Sequence, residues 1–368
     1  MKRFIICLAF FLTLLQSCSR VENETTDTGN HQDNDNDYSD ITTGSASAHD
    51  ALPNLITVIT IKHNQTKESL LQLQTSINQF LGSPEETTLL TAKQAWLDAH
   101  KAWRDITIID FGTPSPYDGL LFGNQSEDIL QLETLLFGID TYPVQEGFLD
   151  AIEGYEDSGI VMDDRIEISE NSLRQQHGIT SEEEICLGFH PLEYYLWSRP
   201  ITDFNVNGGQ FNQRRRNFVL EITQLLVQDV NRFIDLSGLL LANSLQQFSS
   251  EEKNTLVIYT LNKLLEDLVL RLKPVSEEEL HSAYSGEDNQ ETAFLINTLN
   301  ILINEPVSSI DLLNYNNSEK AHLFIESFNK LKEDIDLAEN KDSRLIEHTE
   351  LVLLLKSLIS EFQKSGYQ

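Results

Sequence analysis

An all-α chain arranged as two helical bundles packed side by side is the architecture expected of these 368 residues. Three observations lead there. Apolar residues recur at three- and four-residue spacing through most of the chain beyond residue 50, which is the period of a helix with one buried face. Serine and threonine caps with an acid three positions later recur where those runs begin. No run of alternating β-branched residues is bounded by hairpin turns, so strands are not expected.

Taken in order, Lys2 and Arg3 precede the apolar run Phe4–Leu15, which is too short to span a bilayer and is followed by LLQSC. Charge, apolar run, small residue and cysteine stand in the order of a bacterial lipoprotein signal. Residues 1–17 therefore read as the signal peptide and Cys18 as the lipidated residue. Cys7 would leave with the signal, which makes Cys186 the remaining thiol; no internal disulfide can then form, and stability must come from packing. Residues 18–48, including ENETTDTGNHQDNDNDYSD, are too polar and acidic to bury a core and read as a tether. Its DNDND (Asp33–Asp37) fails as a calcium loop, because Tyr38 stands at the tight-turn glycine and Gly44 at the bidentate glutamate.

Beyond the tether, a helix is expected over Ala51–Leu81. A second is expected after Ser83-Pro84-Glu85-Glu86, which offers a cap, a first-turn proline and first-turn acids. It would run through AKQAWLDAHKAWRDITIIDF. Further helices are expected over Ser126–Phe137, Thr180–Trp197, Phe211–Leu241, Glu251–Leu272, Gln290–Asn304, Ser318–Ala338 and Arg344–Phe362. Capping boxes are read at Thr180/Glu183, Ser249/Glu252 and Ser276/Glu279. Long helices joined by short loops suggest bundles. SRPITDFNVNGGQ (Ser198–Gln210) is the expected junction, giving an N-terminal domain over 49–200 and a C-terminal domain over 201–368.

The formal charge of −32 and pI near 4.5 argue against a nucleic-acid partner, whose backbone needs basic patches, and favour the accumulation of cations. Among the motifs, GFHPLEYYLW (Gly188–Trp197) matters most. His190 and Glu193 are one helical turn apart and share a face, and a neutral imidazole and a carboxylate both suit zinc or iron. Pro191 fits a first helical turn, so the helix is expected to kink or restart at His190 and leave backbone groups open to a ligand. The alternative is that His190 caps the new turn and Glu193 bonds back to it. H-E-x-x-H, H-x-x-E-H, G-x-S-x-G and phosphate-cradling glycine loops are all missing. A carboxypeptidase-like zinc site would need a distant third histidine, for which His281 in SEEELHSAYS is available; it also reads as an exposed residue at a helix start. Trp96 and Trp103 share a helix face and read as core, while Arg104 beside them could hold a carboxylate. Arg214, Arg215 and Arg216 read as a solvated helix face with acidic partners on the same helix.

GFHPLEYYLW resembles the G-x-H-x-x-E signature of imelysin-like proteins, carried here by Gly188, His190 and Glu193. AKQAWLDAHKAWRDITIIDFG is similar to that family's early tryptophan helix. GIDTYPVQEGFLD resembles its proline-containing segment and acidic loop, with Tyr142 where tryptophan is commoner and Gln145 where aspartate is usual. RRRNF falls where the family begins its second domain. EEELHSAYSG is similar to its acidic-His-Ser segment, with Gly286 in place of an aspartate.

The resemblance implies a bacterial envelope protein of two helical bundles with the signature near their interface. The family name comes from a metal-dependent peptidase activity, and many relatives look like iron-uptake or periplasmic binding components. The resulting expectation is a lipoprotein of the outer membrane, facing the periplasm or the cell surface, that binds a metal ion (iron ahead of zinc) or a small ligand at His190 and Glu193. His281 and Ser282 would approach from the second domain, with Gly188, Arg104, Glu146 and Asp150 supporting. Expected partners are the membrane, through the anchor, and other envelope uptake proteins. A metal-dependent peptidase and a structural docking protein are the alternatives.

Overall fold

The computed structural model describes residues 51–109, 126–249 and 318–336, together with 264, 268, 284–286, 295, 296, 299, 300, 353, 356, 357 and 360. All belong to one unit, Ser45–Gln368. The signal peptide, Cys18, the tether, His281, Ser282 and the boxes at Ser249/Glu252 and Ser276/Glu279 fall wholly or partly outside the described residues. So does most of the three helices expected over Glu251–Leu272, Gln290–Asn304 and Arg344–Phe362, whose described positions are helical.

Among the described residues the fold is helical, with no strand and one isolated bridge, Ile152 to Tyr155. No helix among them is long and apolar enough to cross a membrane. Helix α1 (Ala51–Gly82) and helix α2 (Glu86–Ile109) form a hairpin. Their inward faces follow the three-and-four spacing: Leu70, Leu73, Ile77 and Phe80 from α1 meet Leu89, Ala92, Trp96, Ala99, Trp103 and Ile106 from α2, all buried. Each large apolar side chain so buried contributes about 1.5–3 kcal/mol relative to exposure. Between the two helices the cap sits two residues later than expected. The Glu85 carbonyl accepts the first helical bond, from the Leu89 amide at 2.9 Å, and Thr88 Oγ1 accepts the Glu85 N–H at 3.1 Å.

Helix α3 (Ser126–Asp140) leads into an irregular stretch containing the short helices α4 (Glu146–Leu149) and α5 (Glu170–Gln176). Helix α6 (Phe189–Ser198) follows, then a 3₁₀ turn (Ile201–Phe204), the long helix α7 (Gln210–Gln247) and α8 (Ser318–Asp336). Helix α7 packs on α1, α3, α6 and the 3₁₀ turn, and α6 also packs on α2 and α3. Every residue of α6 from Phe189 to Leu196 is buried. It is the central helix of this region, apolar nearly all round, as burial on every side requires.

Two expectations are corrected here. Helix does not extend over Thr180–Trp197, because only Phe189–Ser198 is helical. Gly178 at φ +65° and Gly188 at φ +95° bracket a non-helical segment, and the Glu183 carbonyl accepts the Gln145 N–H at 3.0 Å in place of a helical bond. Thr180 bonds Glu184, so no capping box forms. Pro191 thus lies in the first turn of a fresh helix, where its missing N–H leaves nothing unpaired.

The arginine triplet is not a solvated face either. Arg214 donates to the carbonyls of Ile160, Val161, Asp163 and Ile166 at 2.7–3.0 Å and so organises the irregular stretch. Arg215 grips the fully buried Asp150 with two bonds, at 2.6 and 2.9 Å. Arg216 bonds the carbonyls of Leu81 and Phe204. Five donors in a rigid fork suit this use of guanidinium, which a lysine could not copy.

Candidate metal centre

Gly188 sets the site. A Cβ there would lie 2.3 Å from the Ile139 carbonyl oxygen and 2.8 Å from that of Gly138, and the residue holds φ +95°. Only glycine allows the start of α6 to press on the last turn of α3. That contact brings Asp140, the final residue of α3, against His190 in the first turn of α6. The approach to Gly188 is fixed from its other side by His177. Its Nδ1 accepts the N–H groups of Cys186 and Leu187, both at 3.2 Å, and its Nε2 donates to the Phe137 carbonyl at 3.2 Å.

Two imidazoles converge on one carboxylate oxygen. His190 Nε2 lies 3.1 Å from Asp140 Oδ1, and His100 Nε2, from α2, lies 3.0 Å from the same atom. The other oxygen, Oδ2, accepts Trp103 Nε1–H at 3.0 Å and Arg104 Nη1–H at 3.3 Å. On the far side of His190, Nδ1 meets Glu193 Oε2 at 3.0 Å, and Glu193 Oε1 accepts the Ser285 N–H at 2.8 Å. Aromatic rings enclose the imidazoles: Trp96 stacks on His100 at 4.7 Å, Phe189 lies 4.9 Å from His100, and Tyr142 lies 5.8 Å from His190. Trp96 also donates its N–H to the Phe189 carbonyl at 3.0 Å, tying α2 to α6.

Burial is nearly complete. The side chains of His100 and His190 are 2% exposed, Glu193 1% and Asp140 8%, and Arg104 at 23% marks the solvent side. Burial alone would lower the pKa of His190. The hydrogen bonds and charges of Asp140 and Glu193 outweigh it and raise it to about 9. Burial would likewise raise Glu193, but His190 and the Ser285 amide hold its carboxyl below the ordinary range.

The donor set fits a metal ion. His100, Asp140 and His190 each offer one ligand atom, and these atoms lie within 4.8 Å of one another. Adjacent ligands on a sphere of roughly 2.1 Å radius lie about 3.0 Å apart in an octahedron, close to the two nitrogen–oxygen distances of 3.0 and 3.1 Å here. His190 adds a chemical reason. Both its nitrogens face carboxylates, so it must either carry two protons or hold one on Nδ1 and a cation at Nε2. Two imidazoles and one carboxylate suit ferrous iron or zinc.

The residues expected from the sequence divide into groups. His190, Glu193, Gly188 and Arg104 belong to this cluster, with His190 and Glu193 bonded to each other and not aimed at a shared open point. Both of these side chains are buried. Glu146 stands apart and accepts the Tyr284 hydroxyl at 2.9 Å, while Asp150 is taken by Arg215. His281 and Ser282 are outside the described residues, though Tyr284 and Ser285 just beyond them reach Glu146 and Glu193.

Sequence reasoning missed His100 and Asp140. His100 was available as the histidine on the face shared by Trp96 and Trp103, four and three residues away. Asp140 ends a helix, where the macrodipole disfavours an acid, and an acid there signals compensating donors.

With this geometry established, comparison with known proteins identifies the class. The Imelysin family model matches residues 59–296, well over half of the chain and including the signature, and the chain belongs to that family. A solved structure described as an iron-regulated protein A precursor from Parabacteroides distasonis is similar, with TM-score 0.60 and 13% identity over 89% of this chain and 97% of that one. An Imelysin-like protein from Psychrobacter arcticum is similar at TM-score 0.54 and 14% identity, over 86% and 93%. At such identities the likeness is one of fold. No curated protein matches the chain.

Proposed function

We infer that this chain binds a first-row divalent metal ion through His100 Nε2, Asp140 Oδ1 and His190 Nε2, as an envelope protein of iron uptake. The observation that carries this is the convergence of two imidazole nitrogens on one carboxylate oxygen, with a second carboxylate behind His190. In this reading Glu193 is not a ligand. It keeps the proton on Nδ1 and so turns Nε2 toward the ion, the outer-shell role that carboxylates take behind metal-bound histidines. A bound ion would supply charge to replace the proton His190 otherwise holds. The donor set suits iron and zinc alike, and the iron-regulated description of the Parabacteroides structure favours iron. The lipoprotein signal ending at Cys18 supports an anchored envelope location.

The test is calorimetric titration of the purified chain with ferrous ion under anaerobic conditions and with zinc, beside His100→Ala and a His190→Ala/Glu193→Ala double variant. Affinity should fall at least a hundredfold in both variants. Equal binding by all three proteins would remove the site. A purely structural network would instead lower the melting temperature of Glu193→Ala and leave metal affinity untouched.

The peptidase alternative finds little support in the geometry. It needs Glu193 as a zinc ligand beside His190 and a third group such as His281, whereas Glu193 uses one oxygen on His190 and the other on the Ser285 N–H, within a buried cluster. A broad peptide library incubated with the zinc-loaded chain should remain uncleaved; chelator-sensitive cleavage lost in Glu193→Ala would reverse this reading.

A further inference from the structure

Asp140 presents its two oxygens to different surroundings. Oδ1 faces the two imidazoles, while Oδ2 is held by Trp103 Nε1–H at 3.0 Å and Arg104 Nη1–H at 3.3 Å. Arg104 is partly exposed and makes the longer bond. Trp103 is fully buried, with its ring packed edge-on against Phe233 at 5.0 Å and near Phe189 at 6.5 Å, so its N–H cannot swing away.

We propose that Trp103 is the positioning residue that sets metal selectivity at this site, by holding Asp140 Oδ2 and confining the carboxylate to ligation through one oxygen. This deepens the metal reading and rests on it. Calcium takes six to eight oxygen ligands, with carboxylates often bidentate, and gains little from imidazole. Iron and zinc accept two imidazoles and a single carboxylate oxygen. A fixed indole N–H on Oδ2 therefore excludes the ligation mode calcium would use and keeps the one a transition ion needs. The selectivity resides in a neutral donor outside the ligand set, on a residue whose packing alone would read as core.

The experiment compares zinc and calcium affinities of the full chain with those of Trp103→Phe and of Phe233→Leu. Phe233→Leu loosens the same packing but keeps the indole N–H. Trp103→Phe should reduce the zinc-to-calcium affinity ratio at least tenfold and weaken the visible absorption of the cobalt-loaded protein as a further oxygen enters its coordination. Phe233→Leu should lower the melting temperature and leave the ratio and spectrum as they were. An unchanged ratio in a folded Trp103→Phe chain that still binds zinc overturns this inference alone. So does an equal loss of affinity for both ions, the mark of a merely structural role. Failure of the unmodified chain to bind either ion overturns it together with the metal reading.

Discussion

Two histidines thirteen positions apart show how surroundings decide a residue's behaviour. The ring nitrogens of His177 bond main-chain groups, and burial pushes its pKa down to about 4 despite its bond to the Phe137 carbonyl. Its folded value lies below the unfolded 6.5, so its contribution to stability is fully present above pH 6.5 and is lost as pH falls toward 4. The size is roughly 3–4 kcal/mol, at about 1.4 kcal/mol per pH unit between 6.5 and about 4. Denaturant melts of the chain and of His177→Gln should show a smaller loss between pH 6.5 and 4 in the variant; equal slopes would count against the assigned role.

His190 has the opposite sign. Raised to about 9, it stabilises the metal-free protein fully below pH 6.5, and that contribution is lost as pH rises through about 9. A metal ion must displace the Nε2 proton, so apparent metal affinity should rise by roughly tenfold per pH unit up to about 9, with release of one proton per ion. Affinity independent of pH over 6.5–9 would show that His190 is not a ligand.

At this scale the sequence was half legible. His190 and Glu193 announced themselves by spacing within one turn. His100 and Asp140 did not, because their partnership spans α2, α3 and α6 and leaves no local pattern.

Among the elements, α1, α2, α3, α7 and α8 begin or end within a few residues of where apolar spacing put them, since each buries one face and therefore carries the period. The stretch over 141–188 was not legible. Its order comes from Arg214 reaching four carbonyls and from His177 holding two amides, contacts made across some fifty and ten residues that no periodicity encodes. Gly188 allows helix α6 to start against the last turn of α3. Gly188→Ala would meet the Ile139 carbonyl at 2.3 Å from a conformation that costs an L-residue about 1–3 kcal/mol before any clash. The variant should melt several degrees lower and bind metal at least tenfold more weakly, because α3 and Asp140 are pushed from His190. A variant with normal metal affinity would show that the contact does not set the site.

For the whole molecule, the described helices bury a polar cluster at the meeting of α2, α3 and α6, and the turn at 284–286 closes on Glu193 and Glu146. A buried imidazole between two carboxylates is costly to maintain for packing alone, and a bound cation would offset that cost. The surplus of acid over base across the chain raises the local concentration of cations around it, an effect that salt screens. Family membership was legible because the signature and its flanking segments stand in order. The chemistry was only partly so, since two of the three proposed ligands lie outside the signature. The most direct measurement is zinc-edge X-ray absorption on the chain loaded with one equivalent of zinc. Two imidazole nitrogens and at least one oxygen at about 2.0–2.2 Å are predicted, with one imidazole lost in His100→Ala; an oxygen-only shell, or a spectrum unchanged by that substitution, would contradict the account.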